Sequence, residues 1–250
     1  MAELGRFVWH ELMSTDPKAS IAFYGALFGW TVDEVDMGPI GKYNLIKLGE
    51  KLVGGMMPAP PGAPSHWIPY VNVESVDAAA DKAASMGAQV LVPPTDIPNT
   101  GRFAIVRDPQ GGVLAPFKDA GMPGEPEPKH PVTGTFCWDD LGTSDPEAAA
   151  KFYGAIYGWK AVAPKEGDPH GYWHLKRADD KDCGGMMKAQ GPQPTAWTSY
   201  VAVENVDEAA KKATGLGAKT LVPPTDIPGT GRFSVMMDTT GGAFAIYCAG

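Results

Sequence analysis

The chain is short of cysteine, histidine and clustered positive charge. Its three cysteines, Cys137, Cys183 and Cys248, are far apart, and no CxxC pair exists. An odd, scattered set suits free thiols in a reducing compartment and excludes a disulfide framework or a zinc–thiolate site. With a formal net charge of −8 and no run of Lys or Arg, a nucleic-acid partner is not expected. No apolar stretch is long enough to cross a bilayer. The start, "MAELGRFVWHELMSTDP", lacks the basic-then-apolar pattern of a secretion signal, so a cytoplasmic protein is expected. What is present is 44% hydrophobic and 20% charged residues over 250 positions, enough for one large packed domain or two ordinary ones.

An internal repeat selects two. "GRFVWHELMSTDPKASIAFYGALFGW" at 5–30 matches "GTFCWDDLGTSDPEAAAKFYGAIYGW" at 134–159, an offset of 129 residues. "GGMM" at 54–57 matches "GGMM" at 184–187, and "WIPYVNVESVD" at 67–77 matches "WTSYVAVENVD" at 197–207, both offset by 130. The proline-rich "DAGMPGEPEPKHPVT" at 119–133 reads as an extended linker. The expected domains are therefore 1–118 and 134–250.

Each copy holds two smaller units in the order strand, helix, three strands. Asp16 and Pro17 supply an N-cap and a first helical residue. Phe23, Tyr24, Leu27 and Phe28 make an apolar helix face, and Gly29 a left-handed stop. The spacing predicts strands near 5–13, 30–37, 42–49 and 51–57. The second unit repeats the plan with a strand at 67–73, a helix near 76–86, and strands near 89–92, 102–107 and 112–117. Copy two follows the same plan, with helix stops at Gly158 and Gly217.

The motifs "DPKASIAFYGALFGW" and "DPEAAAKFYGAIYGW", with the turns "RDPQGG" at 107–112 and "MDTTGG" at 237–242, resemble the vicinal oxygen chelate superfamily. That superfamily includes glyoxalase I, bleomycin-resistance proteins and extradiol dioxygenases. The whole chain is similar to tandem glyoxalase-like proteins of actinobacteria. The resemblance implies an α+β fold: two tandem domains, each made of two βαβββ units that form a curved mixed sheet with helices on one face and a cavity on the other. It also implies His or Glu metal ligands at set strand positions. Those positions fall on Trp9 and Trp138, Ile68 and Thr198, and Ala115 and Ala245, none a good ligand. On the remaining ligand strand only Asn44 and His174 are offered. Hence no cofactor and no divalent metal are expected. Because one-domain members dimerise to complete their cavities, an intramolecular pseudo-dimer is expected, as a monomer or homodimer.

Strand alternation puts Phe7, Trp9, Glu11 and Met13 on one face, and Phe136, Trp138 and Asp140 on its counterpart. If this face meets the cavity, Glu11 and Asp140 are candidate acid/base residues, since a carboxylate against apolar rings has a raised pKa. The alternative is a carboxylate paired with arginine or placed at the sheet rim. On the same logic Tyr70, Asn72 and Phe117 in copy one, and Thr198, Tyr200 and Tyr247 in copy two, are candidate ligand contacts beside Trp9 and Trp138. His10 and Glu11 fall on opposite faces and cannot share an ion. His170 and His174, on a strand, stand about 13 Å apart. Trp30, Trp67, Trp159 and Trp197 read as core.

"LVPPTDIPNTGRF" at 91–103 recurs as "LVPPTDIPGTGRF" at 221–233 with one change. Its prolines exclude a central strand. Arg102 and Arg232 either lock this loop by pairing with Asp96 and its counterpart or bind an anion at a cavity mouth. Three functions fit the residues: a metal-independent enzyme acting on a small molecule, a small-molecule binding or sequestration protein, and a metal-dependent lyase or dioxygenase.

Overall fold

The structure is a computed structural model and describes residues 3–36, 41–121, 128–166, 168, 171–191 and 193–250. In the first copy the elements are β1 (Phe7–Ser14), α1 (Pro17–Phe28), β2 (Thr31–Asp36), β3 (Lys42–Leu48) and β4 (Lys51–Pro58). Then come β5 (His66–Asn72), α2 (Val76–Ser85), β6 (Gln89–Ile97), β7 (Gly101–Arg107) and β8 (Val113–Asp119). The second copy gives β9 (Phe136–Thr143), α3 (Pro146–Tyr157), β10 (Lys160–Val162), β11 (Trp173–Lys176) and β12 (Asp182–Lys188). It ends with β13 (Ala196–Ala202), α4 (Val206–Gly215), β14 (Lys219–Ile227), β15 (Gly231–Met237) and β16 (Ala243–Ala249).

The signals that shape these elements are local. Asp16 accepts from Ala19 N at 3.0 Å and Asp145 from Ala148 N at 3.0 Å, capping α1 and α3. Ser75 and Asn205 cap α2 and α4 in the same way. Gly29 and Gly158 end the first and third helices at φ 75° and 70°, the left-handed conformation that costs glycine least.

Each copy forms one mixed eight-stranded sheet, in the orders β2-β3-β4-β1-β5-β8-β7-β6 and β10-β11-β12-β9-β13-β16-β15-β14. β1 and β4 run parallel, as do β5 and β8, while the hairpins are antiparallel. The fold is α+β, with the same βαβββ-βαβββ arrangement twice in tandem. The expected linker lies partly at 122–127, outside the described residues.

"LVPPTDIP" differs from expectation. It is not a loop but the bulk of β6, and its repeat is the bulk of β14. Both strands are outermost in their sheets, where a proline that lacks an N–H interrupts nothing on its free side. Their pairing slips at two points, between Val90 and Val92 and between Val92 and Thr95 in the first copy.

The packing cuts across the repeat. Two compact units emerge from the contacts. One takes α2 with β6–β8 from copy one and α3 with β10–β12 from copy two. The other takes α1 with β2–β4 from copy one and α4 with β14–β16 from copy two. Each has its own core. In the first, Ala79, Ala80 and Ala83 of α2 pack with Phe152, Tyr153 and Tyr157 of α3 and with Trp159 and Trp197. In the second, Phe23, Tyr24 and Leu27 of α1 pack with Ala210 and Ala213 of α4, and with Trp30, Trp67 and Phe244. The four tryptophans expected in the core are there. Phe7 and Phe136, which alternation placed beside Trp9 and Trp138, instead join these cores. Phe7 lies 5.3 Å from Trp159 and 5.5 Å from Trp197, and Phe136 5.1 Å from Trp67 and 3.8 Å from His10.

A polar knot joins the copies inside each unit. The turn residue Asp108 of copy one accepts through Oδ1 from the N–H groups of Gln110, Gly111 and Gly112 at 2.7–2.9 Å. Its Oδ2 accepts from Tyr153 Oη of copy two at 2.6 Å. That hydroxyl accepts in turn from Trp197 Nε1 at 3.1 Å. The other unit repeats the knot with Asp238, Tyr24 and Trp67, where Tyr24 Oη donates at 2.7 Å. Burial first, and the neighbouring carboxylate second, hold both phenols well above the usual tyrosine pKa, so each remains a donor.

Tyr157 lies in the first of these cores with a buried hydroxyl that has no partner among the described residues, and its repeat position holds Phe28. Tyr24→Phe and Tyr153→Phe are each expected to lower stability by about 1–3 kcal/mol, because a buried carboxylate oxygen loses its donor. Tyr157→Phe is expected to be neutral or stabilising by up to ~1 kcal/mol, for the converse reason. Urea unfolding midpoints of the three variants check both signs.

Candidate functional site

The site is built on β1 and its neighbours β3 and β4. In the ladder Glu11 stands opposite Gly55, and Met13 opposite Met57. Glu11 is buried, with 4% of its surface exposed. Its Oε2 accepts from Tyr43 Oη of β3 at 2.6 Å, and Tyr43 Oη accepts from Trp9 Nε1 at 3.1 Å. Its Oε1 is sealed from solvent and, among the described residues, has no hydrogen-bond partner. Trp9 and Tyr43 are only half-buried.

This environment moves the titration of Glu11 from 4.5 to about 7. Burial dominates by disfavouring the charged form, and the bonds from Tyr43 and Trp9 pull the other way without cancelling it. Among the described residues, no charged side chain contributes to the shift. On β3, Lys42 and Lys47 are engaged with Glu34 and Asp33 of β2.

Gly55 makes the arrangement possible. A Cβ there would overlap the Tyr43 hydroxyl and come within 2.8 Å of Glu11 Oε2. The second copy keeps the same device. Tyr172 Oη donates to Asp140 Oδ1 at 2.6 Å, Asp140 stands opposite Gly185, and a Cβ on Gly185 would overlap the Tyr172 hydroxyl. Tyr43 and Tyr172 were not singled out from the sequence, although both lie at the 129-residue offset that relates Glu11 to Asp140. The repeated "GGMM" segments supply the two glycines.

The other candidates lie as follows. Tyr70 sits beside Phe103 of β7 at 6.0 Å and Phe117 of β8 at 6.2 Å between ring centres. Tyr200 pairs with Phe233 at 6.2 Å. Neither Phe103 nor Phe233 was singled out from sequence. Asn72 is buried and donates to the Glu3 carbonyl at 3.2 Å, so its amide holds the N-terminal segment. Trp138 and Thr198 are half-buried. Tyr247 Oη donates to the Thr230 carbonyl at 3.0 Å.

Arg102 and Arg232 take the loop-locking alternative. Arg102 donates through Nε and Nη2 to Asp77 at 2.8 Å each, and through Nη1 to Asp96 at 2.7 Å. Arg232 does the same with Asp207 and Asp226. Each guanidinium is thus held by two carboxylates.

Two open cavities lie away from Glu11. One of 560 Å³ is lined by Glu204–Asp207, Asp226–Arg232 and Cys248–Gly250. One of 430 Å³ lies between Asp108–Gln110 and the first turns of α3.

The positions at which the superfamily's metalloenzymes carry ligands hold Trp9, Ile68 and Ala115, and Trp138, Thr198 and Ala245. Asn44 donates to the Met56 carbonyl at 3.4 Å, and His174 is exposed, 3.9 Å from Asp182. His170 lies outside the described residues. Among the described residues no three His, Cys, Asp or Glu side chains converge as a metal site. None of those six strand positions holds the His or Glu that the resemblance implies there.

Comparison with known proteins agrees with this architecture. Residues 6–115 match the family described as the glyoxalase/bleomycin resistance protein/dioxygenase superfamily, and residues 135–247 match the glyoxalase-like domain. The chain is 35% identical to CFP32 of Mycobacterium tuberculosis over 95% of its own length and 92% of that protein's. It is 28% identical to the anthracycline biosynthesis protein DnrV of Streptomyces peucetius, covering 97% and 92%. Its fold is similar to that of a Mn(II)-bound glyoxalase from Novosphingobium aromaticivorans, with a TM-score of 0.66 at 17% identity, over 99% of this chain and 83% of that one. The chain belongs to the glyoxalase/bleomycin resistance protein/dioxygenase superfamily.

Proposed function

We propose that this protein binds a small molecule and moves a proton on it without a metal ion. Glu11 is the acid/base group of the first copy and Asp140 that of the second. The observation that carries the reading is the buried Glu11 carboxyl, bonded at one oxygen, bare at the other and titrating at about 7. A group balanced between its two forms near neutral pH suits proton transfer in both directions. The misfit of the metal-ligand positions supports the absence of a metal from the chemistry. Half-buried Trp9 and Trp138, with the Tyr70–Phe103–Phe117 and Tyr200–Phe233 groups, favour an aromatic or apolar ligand body.

The same rings support a second reading, binding or sequestration without turnover. DnrV, by its name a protein of anthracycline biosynthesis, makes a polycyclic aromatic ligand a reasonable first class to screen for either. We place the protein in the cytoplasm, in keeping with three cysteines that form no disulfide. Cores built from both copies suit an intramolecular pseudo-dimer, and light scattering that finds only an obligate oligomer would count against it.

A metabolite panel read by thermal shift supplies the ligand. Turnover of that ligand should then fall by about a hundredfold or more in Glu11→Gln combined with Asp140→Asn. Turnover surviving both changes removes the acid/base role, and binding without turnover in the parent chain selects sequestration. A stoichiometric transition metal in the purified protein, by elemental analysis, overturns metal independence.

The carboxyl also predicts a pH dependence of stability. Its folded pKa is raised, so between 4.5 and about 7 the folded state holds more protons than the unfolded one. The associated stability is intact below this window and is lost as pH rises through it, by about 3 kcal/mol in all. Urea unfolding of the parent chain from pH 4 to 8, set against the Glu11→Gln variant, should isolate this loss, which the variant lacks.

A further inference from the structure

We propose that the two copies present ligand faces of different specificity: His174 gives the face around Asp140 a preference for a small molecule with a neutral hydroxyl, which Leu45 denies the face around Glu11. This rests on the reading above that these faces receive a small molecule, and it assigns the residue that tells one ligand from another.

The ladders lay one row of residues across four strands in each copy. In the first, Glu11 stands opposite Gly55, Gly55 opposite Leu45, and Leu45 opposite Asp33. In the second, the row is Asp140, Gly185, His174 and Val162. Residues directly opposite one another in a sheet share a face, so each row projects to the side that carries the acid. Leu45 and His174 thus hold equivalent places, separated from the acid only by a glycine.

The environment of His174 suits recognition. More than half of its side chain, 52%, is exposed, so a ligand can reach the ring. The ring centre lies 5.1 Å from that of Tyr172, edge to face. Tyr172 in turn bonds Asp140 at 2.6 Å, so histidine, tyrosine and aspartate stand side by side on one face. His174 Nδ1 is 3.9 Å from Asp182 Oδ1, beyond hydrogen-bonding distance, and Lys176 Nζ lies nearer to that oxygen, at 3.7 Å. An imidazole can donate or accept a hydrogen bond, which leucine cannot. Asp140 and Asp182 on either side of it disfavour an anion and favour a neutral hydroxyl.

A second difference between the copies points the same way. Met13 stands opposite Met57, whereas Gly142 stands opposite Met187. The backbone does not require that glycine. Its φ lies outside the left-handed region, and a Cβ there would meet only the Ala196 carbonyl at 3.9 Å, an ordinary contact. The missing side chain leaves room on the face that carries the histidine. Leu45, Met13 and Met57 make the first face apolar around its carboxyl. His174, Gly142 and Met187 make the second roomier and more polar.

The test uses the full chain and two probes of matched shape, phenol and toluene, which differ by a hydroxyl in place of a methyl group. NMR shifts of the Met187 methyl and the His174 ring report the second face, and those of the Met13 and Met57 methyls the first. The preference for phenol over toluene should be about fivefold greater at the second face, as one neutral hydrogen bond supplies. His174→Leu should remove that difference. Leu45→His should raise the preference for phenol at the first face by a similar factor. Gly142→Met should weaken both probes alike at the second face. A ratio of two ligands does not change through loss of stability, and the two histidine variants act in opposite directions on different copies. If the second face shows no greater preference for phenol, or keeps it in His174→Leu, the role of His174 is wrong while the small-molecule reading stands. If neither probe shifts any of these signals, the reading of these faces as ligand sites fails, and this inference with it.

Discussion

Two buried bonds between tyrosine and aspartate, Tyr24 to Asp238 and Tyr153 to Asp108, constrain the rest of the molecule. Each ties the first helix of one copy to the last turn of the other. The aspartate simultaneously gathers the N–H groups of its own turn, so the turn holds its shape only while the carboxylate stays in place. A tryptophan N–H completes the tyrosine's bonding and brings an indole into the core. Fully satisfied networks of this kind specify one packing because every competing arrangement leaves a buried polar group unpaired. The apolar clusters then fill in around them, each drawing on both copies.

The same economy recurs at the candidate site with one difference. At the knots every oxygen with a structural duty has its donor. At Glu11 one oxygen is left without one among the described residues. Buried polar atoms without partners are uncommon in packed proteins, and this one shares a carboxyl with an oxygen that a half-exposed tyrosine holds. The structure thus separates carboxylates that fix geometry from one whose protonation is finely balanced. Sequence alone shows them all as acids on strands or turns.

The fold was legible because its signals are local. Asp16, Pro17 and Gly29 mark a helix whatever surrounds it, and the 129-residue repeat doubles every inference. Which copy's helix meets which copy's turn was not legible, since Tyr24 is chemically as well matched to Asp108 of its own copy as to Asp238. At the site, strand alternation identified Glu11, Asp140 and Trp9. It missed Tyr43, the neighbour of Asn44 on β3, and a slip of one residue along a strand exchanges its two faces. Attention there went to Asn44 instead. The arginines were ambiguous for a related reason: Asp77 and Asp207, which each bind one, lie 25 residues earlier on a helix.

The faithfully repeated "LVPPTDIP" concerns what the sheets must avoid. An outermost strand normally presents a free ladder of N–H and C=O groups to any other extended chain. Here Pro93 and Pro94, and Pro223 and Pro224, put two residues without an N–H into the outermost strand, and the register slips at the same place. Leu91 and Leu221 remain exposed on these same strands, where an intact edge would recruit further strands. One edge of each eight-stranded sheet is therefore a poor template for growth. Of the four edges that two such sheets present, the prolines make two, β6 and β14, poor sites for the linking of molecules into open-ended polymers.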